Sequence, residues 1–71
     1  MANPSESGRP TYELAVLVVR RLLAEPGVWS ARTLAGELGE YERRVQRVVA
    51  ALPGAGWQVE RDEGRRLTVR A

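Results

Sequence analysis

The sequence predicts an α+β domain built from three helices and a small antiparallel β-hairpin. Three observations predict it. Apolar residues recur at helical spacing in three segments, about 12–25, 31–38 and 41–52. Each segment is followed by residues that end helices: Pro26-Gly27, Gly39 and Pro53-Gly54. Further on, Trp57 to Arg61 and Arg65 to Arg70 alternate like strands around the turn residues Asp62-Glu63-Gly64.

Residues 1–10, MANPSESGRP, are polar and read as a flexible segment ahead of one domain spanning 11–71. Thr11, after Pro10, is the expected N-cap of the first helix. Tyr12, Ala15, Val16, Val19, Leu22 and Leu23 fall on one broad side of that helix, and Leu14, Leu17 and Val18 on the other. This is more apolar surface than a two-layer domain needs. Either neighbouring elements cover it or a second chain does, which would give a homodimer through helix 12–25.

Val28-Trp29 is expected to form a very short strand, and Ser30 to cap a second helix from Ala31 to Leu38. Leu34, Ala35 and Leu38 face inward there, and Gly39 supplies a left-handed residue to end the helix. The third helix runs to Leu52, because the residue before Pro53 is pushed out of the helical region. GAGWQ reads as a loop before the hairpin, whose turn has Gly64 available for a positive φ. Leu67 and Val69 share one face of the returning strand. Trp29 and Trp57 lie among apolar residues and are expected to pack on the helices instead of stacking on unpaired bases.

Composition narrows the function classes. Seventy-one residues are near the lower limit for a chain that folds on its own core, and there is no cysteine to add a disulfide or a thiolate metal site. With no histidine either, the commonest general base is missing and no enzymatic activity is expected. Glu60, Asp62 and Glu63 sit too close to a turn to read as a metal site, and PGAG lacks the lysine and hydroxyl of a phosphate-binding loop. No cofactor is expected. The longest apolar run, Leu14 to Val19, stops at Arg20-Arg21 and cannot cross a bilayer, so a cytoplasmic protein with no membrane partner is expected.

Net charge is only +2, but it is unevenly placed. Residues 1–42 hold four arginines against six glutamates, and residues 43–71 hold seven arginines against three carboxylates. That polarity gives the C-terminal part an attraction for polyanions. Every basic residue is arginine, as GC-rich codon usage produces, with selection for guanidinium chemistry the second explanation.

Helical geometry sorts the third helix. At about 100° per residue, Tyr41, Val45, Val48 and Leu52 centre on one side with Val49 at its edge. Arg43, Gln46, Arg47 and Ala50 centre on the opposite side, flanked by Arg44. Arginine and glutamine pair bidentately with guanine and adenine edges in the major groove, and a small Ala50 allows close approach. The competing reading is a solvated face. Arg61, Arg65 and Arg66 cluster at the hairpin turn, where they can grip phosphate or the minor groove, or keep an edge strand from aggregating.

The segment TLAGELGEYERRVQRVVAAL resembles the helix-turn-helix of DeoR-type and WYL-type bacterial regulators, which carry a winged helix-turn-helix domain. Leu34, Ala35, Leu38 and Gly39 match the first helix and turn, and Arg43, Val45, Gln46 and Arg47 match the second helix. GAGWQVERDEGRRLTVR is similar to the closing turn and wing, so the likeness covers residues 12 to 70. Where the family has an apolar residue and then Ser or Thr, this chain has Glu40 and Tyr41. The resemblance implies a sequence-specific binder of double-stranded DNA, a transcriptional regulator at the nucleoid or a small phage or plasmid DNA-binding protein, acting as a dimer on two half-sites. Recognition helix 41–52 would read bases through Arg43, Gln46 and Arg47. Arg44, Arg61, Arg65 and Arg66 would hold the backbone or minor groove, and Arg32 would touch a phosphate. The alternative is a winged-helix module that binds protein.

Overall fold

The computed structural model describes residues 9–71, so the expectations for residues 1–8 lie outside it. The element order is α1 (Thr11–Ala24), α2 (Ala31–Leu38), α3 (Glu42–Ala51), a 3-10 turn (Leu52–Ala55), β1 (Gln58–Arg61) and β2 (Leu67–Arg70). The strands pair antiparallel, with Val59 opposite Val69 and Arg61 opposite Leu67. This is the α+β arrangement of a winged helix: three helices and a two-stranded hairpin.

One core joins the layers. Leu14, Val18 and Leu22 of α1, Leu34 and Ala35 of α2, and Val45, Val48 and Val49 of α3 meet Leu52, Leu67 and Val69. Trp29, Trp57 and Val59 pack against it from the edges, as expected for the two tryptophans. The buried face of α1 cuts across the two apolar sides, taking Leu22 from one and Leu14 and Val18 from the other. Leu14, Val18 and Leu22 form a single i, i+4, i+8 row that reaches α3 and β2, whereas Tyr12, Val16 and Leu23 of the broader apolar side are exposed. A helix apolar all round carries no periodicity that selects its buried face; the partner's shape selects it.

Helix ends differ where no side chain fixes them. Thr11 is the first residue of α1 and does not cap it; Pro10 holds the N-cap position with no side-chain bond, and its carbonyl accepts from the Leu14 N–H at 3.1 Å. Ser30 caps α2 as expected, accepting from Thr33 N–H at 3.1 Å while Thr33 Oγ1 accepts from Ser30 N–H at 2.9 Å. This reciprocal pair satisfies two donors that the helix start would otherwise orphan. Gly39 adopts φ 68° and ends α2. Tyr41 then caps α3 from an extended conformation, so it lies off the helical wheel and is exposed instead of joining Val45 and Val48 inside.

Leu52 to Ala55, expected in part as loop, tightens into the 3-10 turn, and Gly56 at φ 97° redirects the chain. Val28-Trp29 is not a strand. The segment still docks on the hairpin: Leu67 N–H donates to the Trp29 carbonyl at 2.7 Å and Gly27 N–H to the Leu67 carbonyl at 3.0 Å. β1 begins one residue later than expected, at Gln58, and β2 two residues later, at Leu67, because the turn extends from Asp62 to Arg66. Within it the left-handed residue is Arg65, at φ 63°, and not Gly64.

Candidate nucleic-acid interface

The interface is built outward from α3. Its inner row of valines locks the helix onto α1 and α2, which turns Arg43, Gln46, Arg47 and Ala50 to the exposed side. The expected opposition of valine and arginine faces is therefore present. On one flank, Arg43 and Arg47 line an open groove of about 600 Å³ between α1 and α3, floored by Ala15, Val48 and Leu52. On the other flank, Gln46 and Glu42 face the hairpin across a second cleft of about 640 Å³.

That second cleft gathers residues distant in sequence. Arg32 comes from the first turn of α2, Gln46 from α3, Arg61 from the end of β1 and Arg65 from the turn. Ser30, beneath them, is occupied in its capping box. Four of the eight expected contact residues thus border one cavity, and three more, Arg43, Arg44 and Arg47, line the groove across the helix.

The hairpin turn places its arginines by a specific set of bonds. Arg65 N–H donates to the Asp62 carbonyl at 2.9 Å and Asp62 N–H to the Arg66 carbonyl at 3.0 Å, which closes the turn. Asp62 Oδ1 accepts from the N–H groups of Gly64 and Arg66, both at 2.9 Å. Those bonds, led by that from Arg66, and the nearby guanidinium hold the Asp62 carboxyl below the usual aspartate range, against the smaller opposing effect of desolvation. Arg66 Nε pairs with Asp62 Oδ2 at 3.2 Å, so its side chain folds back across the turn. A Cβ on Gly64 would sit 3.2 Å from Arg66 Nε. That contact is with the end of an exposed side chain, and the left-handed conformation falls to Arg65.

Arg44 and Arg66 do not share the availability of the others. Arg44 lies half-buried at the start of α3, where its Nη1 donates to both Glu40 carboxylate oxygens at 3.2 Å and its Nη2 donates to the Arg9 carbonyl. Arg9 returns the contact, with Nη1 3.3 Å from Glu40 Oε2 and 3.2 Å from the Leu38 carbonyl. The Glu40 side chain is fully buried between the two guanidiniums, and the residual exposure of the residue is main chain. Arg9 thus packs against the start of α3. Sequence reasoning missed this hub, although the i, i+4 spacing of Glu40 and Arg44 signals an ion pair. The same spacing ties Gln46 Nε2 to Glu42 Oε2 at 2.9 Å.

Arg32, Arg43, Arg47, Arg61 and Arg65 are all exposed, and none makes a side-chain ion pair or hydrogen bond with another described residue. Arg21 and Arg70 are occupied elsewhere: Arg21 pairs with Glu37 at 2.9 Å and lies 5.5 Å from the Trp29 ring centre, and Arg70 pairs with Glu60 at 2.8 Å. Among the described residues there is no group of carboxylates that could hold a metal ion, and no helix is long and apolar enough to cross a membrane.

Fold and site together define a winged-helix domain with unpaired guanidiniums on both sides of its third helix. No family model matches the chain, and no curated protein or solved structure shows significant similarity to it.

Proposed function

We propose that this domain binds double-stranded DNA sequence-specifically, as a transcriptional regulator of the DeoR-like or WYL-like kind working at the nucleoid. The observation that carries the reading is the set of five unpaired arginines around α3. Leaving that many cations adjacent and unmatched costs self-repulsion, which a polyanion relieves. A helix fits the major groove, where Arg43, Arg47 and Gln46 are suited to guanine and adenine edges. Arg32, Arg61 and Arg65 line the cleft beside it and supply phosphate contacts. Arg66 adds to these only if a phosphate displaces Asp62, and Arg44 acts through the orientation of α3. A homodimer through α1 on paired half-sites completes the proposal.

Selection of bound sequences from random duplex DNA tests it directly. A single enriched motif supports base reading, and binding without enrichment reduces the claim to a phosphate binder. A second reading, a protein-binding module, is favoured by the exposed Tyr12, Val16 and Leu23 on α1 and by the Glu42 carboxylate beside Gln46. Absence of any duplex binding at low salt would select it.

A further inference from the structure

Three of the most exposed large apolar side chains lie on α1: Tyr12 is 75% exposed, Val16 54% and Leu23 50%. Half-buried Val19 lies between them. Positions 12, 16, 19 and 23 follow the four-three-four spacing of a helix-pairing seam and span only about 60° of the helical wheel. The core row of Leu14, Val18 and Leu22 lies on another side; Val19 touches the core from the edge of the stripe, and Tyr12, Val16 and Leu23 stay largely outside it.

We infer that the stripe pairs with the same stripe of a second copy, antiparallel, about a two-fold axis. The argument for that occupant is charge complementarity. Glu13 and Arg20 flank the same edge of the stripe, one heptad apart and near opposite ends. In an antiparallel pair each Glu13 faces the Arg20 of the other copy, giving two symmetric ion pairs. A parallel pair would set this edge against the partner's opposite edge, near Ala15 and Leu22, and would form neither ion pair. Both groups are available: Arg20 is exposed with no ion pair among the described residues, and Glu13 makes only a 3.8 Å contact to Arg9. Such an isologous surface closes at two copies and leaves no open end. A helix of fourteen residues, about 21 Å long, offers less than the roughly 800 Å² per partner of a standard interface, so the dimer forms in a concentration-dependent way.

The inference rests on the dimeric part of the proposed function and not on DNA recognition. Sedimentation equilibrium over a concentration series, without DNA, therefore tests it alone. Wild type should pass from monomer to dimer. Glu13→Arg and Arg20→Glu should each raise the dissociation constant roughly tenfold, since both symmetric pairs become like-charged. The double variant should restore association, and an equimolar mixture of the two single variants should form a heterodimer in preference to either homodimer. Val16→Asp should be monomeric with an unchanged circular dichroism spectrum, because Val16 is outside the core. A wild-type protein that stays monomeric throughout overturns the inference, as does a double variant that associates no better than the single ones. An Arg43→Ala/Arg47→Ala protein should dimerise normally, so loss of base reading and loss of pairing are told apart.

Discussion

Arg44 and Arg43 are neighbours on one helix, yet they belong to different regions of the molecule. Arg44 points into the junction where the α2–α3 turn meets the start of α1, and shares a buried carboxylate with Arg9. Arg43 points out, as do Arg47, Arg61 and Arg65, with no ion pair to a carboxylate among the described residues, whereas Arg66 is held by Asp62. In this pair, what lies four residues earlier decides whether the guanidinium is tied into the fold or left exposed. Arg44 has Glu40 at that distance, whereas Arg43 has Gly39 and Arg47 an intrahelical arginine. The first region ties α3 to the start of α1; Arg43 and Arg47 in the second make no ion pair among the described residues.

The largest expected effect comes from removing the carboxylate that defines the first region. Glu40→Gln leaves two half-buried guanidiniums facing a neutral amide. Breaking a fully buried pair costs about 3–5 kcal/mol, and the partial exposure of Arg9 and Arg44 lowers this to about 2–3 kcal/mol. Urea unfolding followed by tryptophan fluorescence measures it. A loss below half a kcal/mol would show that the hub is not structural.

The next prediction separates the regions by what each variant loses. Arg43→Ala with Arg47→Ala should reduce affinity for a selected DNA site, each arginine contributing about 1–3 kcal/mol of base discrimination, while unfolding is unchanged. Arg44→Ala should do the reverse, lowering stability first and affecting DNA binding only through the less well-held helix. If Arg44→Ala instead weakens binding in the fully folded protein, the division drawn between these neighbours fails.

How far the sequence foretold these regions follows from which signals are local. The element order, the Ser30 cap and the Gly39 stop were legible because each depends on residues within four positions. The two faces of α3 were legible because Val45, Val48 and Val49 alternate cleanly with Arg43, Gln46 and Arg47. The buried face of α1 was not, since apolar residues surround that helix and only contact with α3 and β2 decides. The roles of Arg9 and Glu40 depend on an approach between positions 31 residues apart, which no local pattern encodes. In the turn, the glycine in DEGRR drew the left-handed assignment one residue too early; the Asp62 bonds set the register instead.

That register makes Arg65 the residue on which stability and binding pull apart. A non-glycine residue in the left-handed region costs roughly 1–2 kcal/mol. Glycine relieves this but adds roughly 0.5–1 kcal/mol of unfolded-state freedom. Arg65→Gly should therefore stabilise the domain by about 0.5–1 kcal/mol in thermal unfolding. It should also remove one phosphate contact, making the slope of log affinity against log salt shallower by about 0.9. A variant that is more stable with an unchanged salt slope would take Arg65 out of the interface.

The smallest effect is a pH dependence confined to the same turn. Asp62 has a carboxyl pKa lowered on folding by the N–H groups of Arg66 and Gly64 and by the Arg66 guanidinium. A lowered value means that the folded state prefers the charged form. The stabilisation is fully present above the ordinary aspartate value of about 3.9 and disappears as pH falls through the lower folded value. Because Asp62 is exposed, the loss should be slight and local, and Arg66 is the group released. Asp62→Asn keeps an oxygen that can accept from the turn N–H groups but carries no charge, so it should melt below wild type at neutral pH. The two melting temperatures should converge once wild-type Asp62 is protonated. A gap that persists unchanged at acid pH would assign the wild-type advantage to hydrogen-bond geometry and not to the charge, and the Asp62–Arg66 ion pair would then no longer explain why Arg66 folds back while Arg65 stays free.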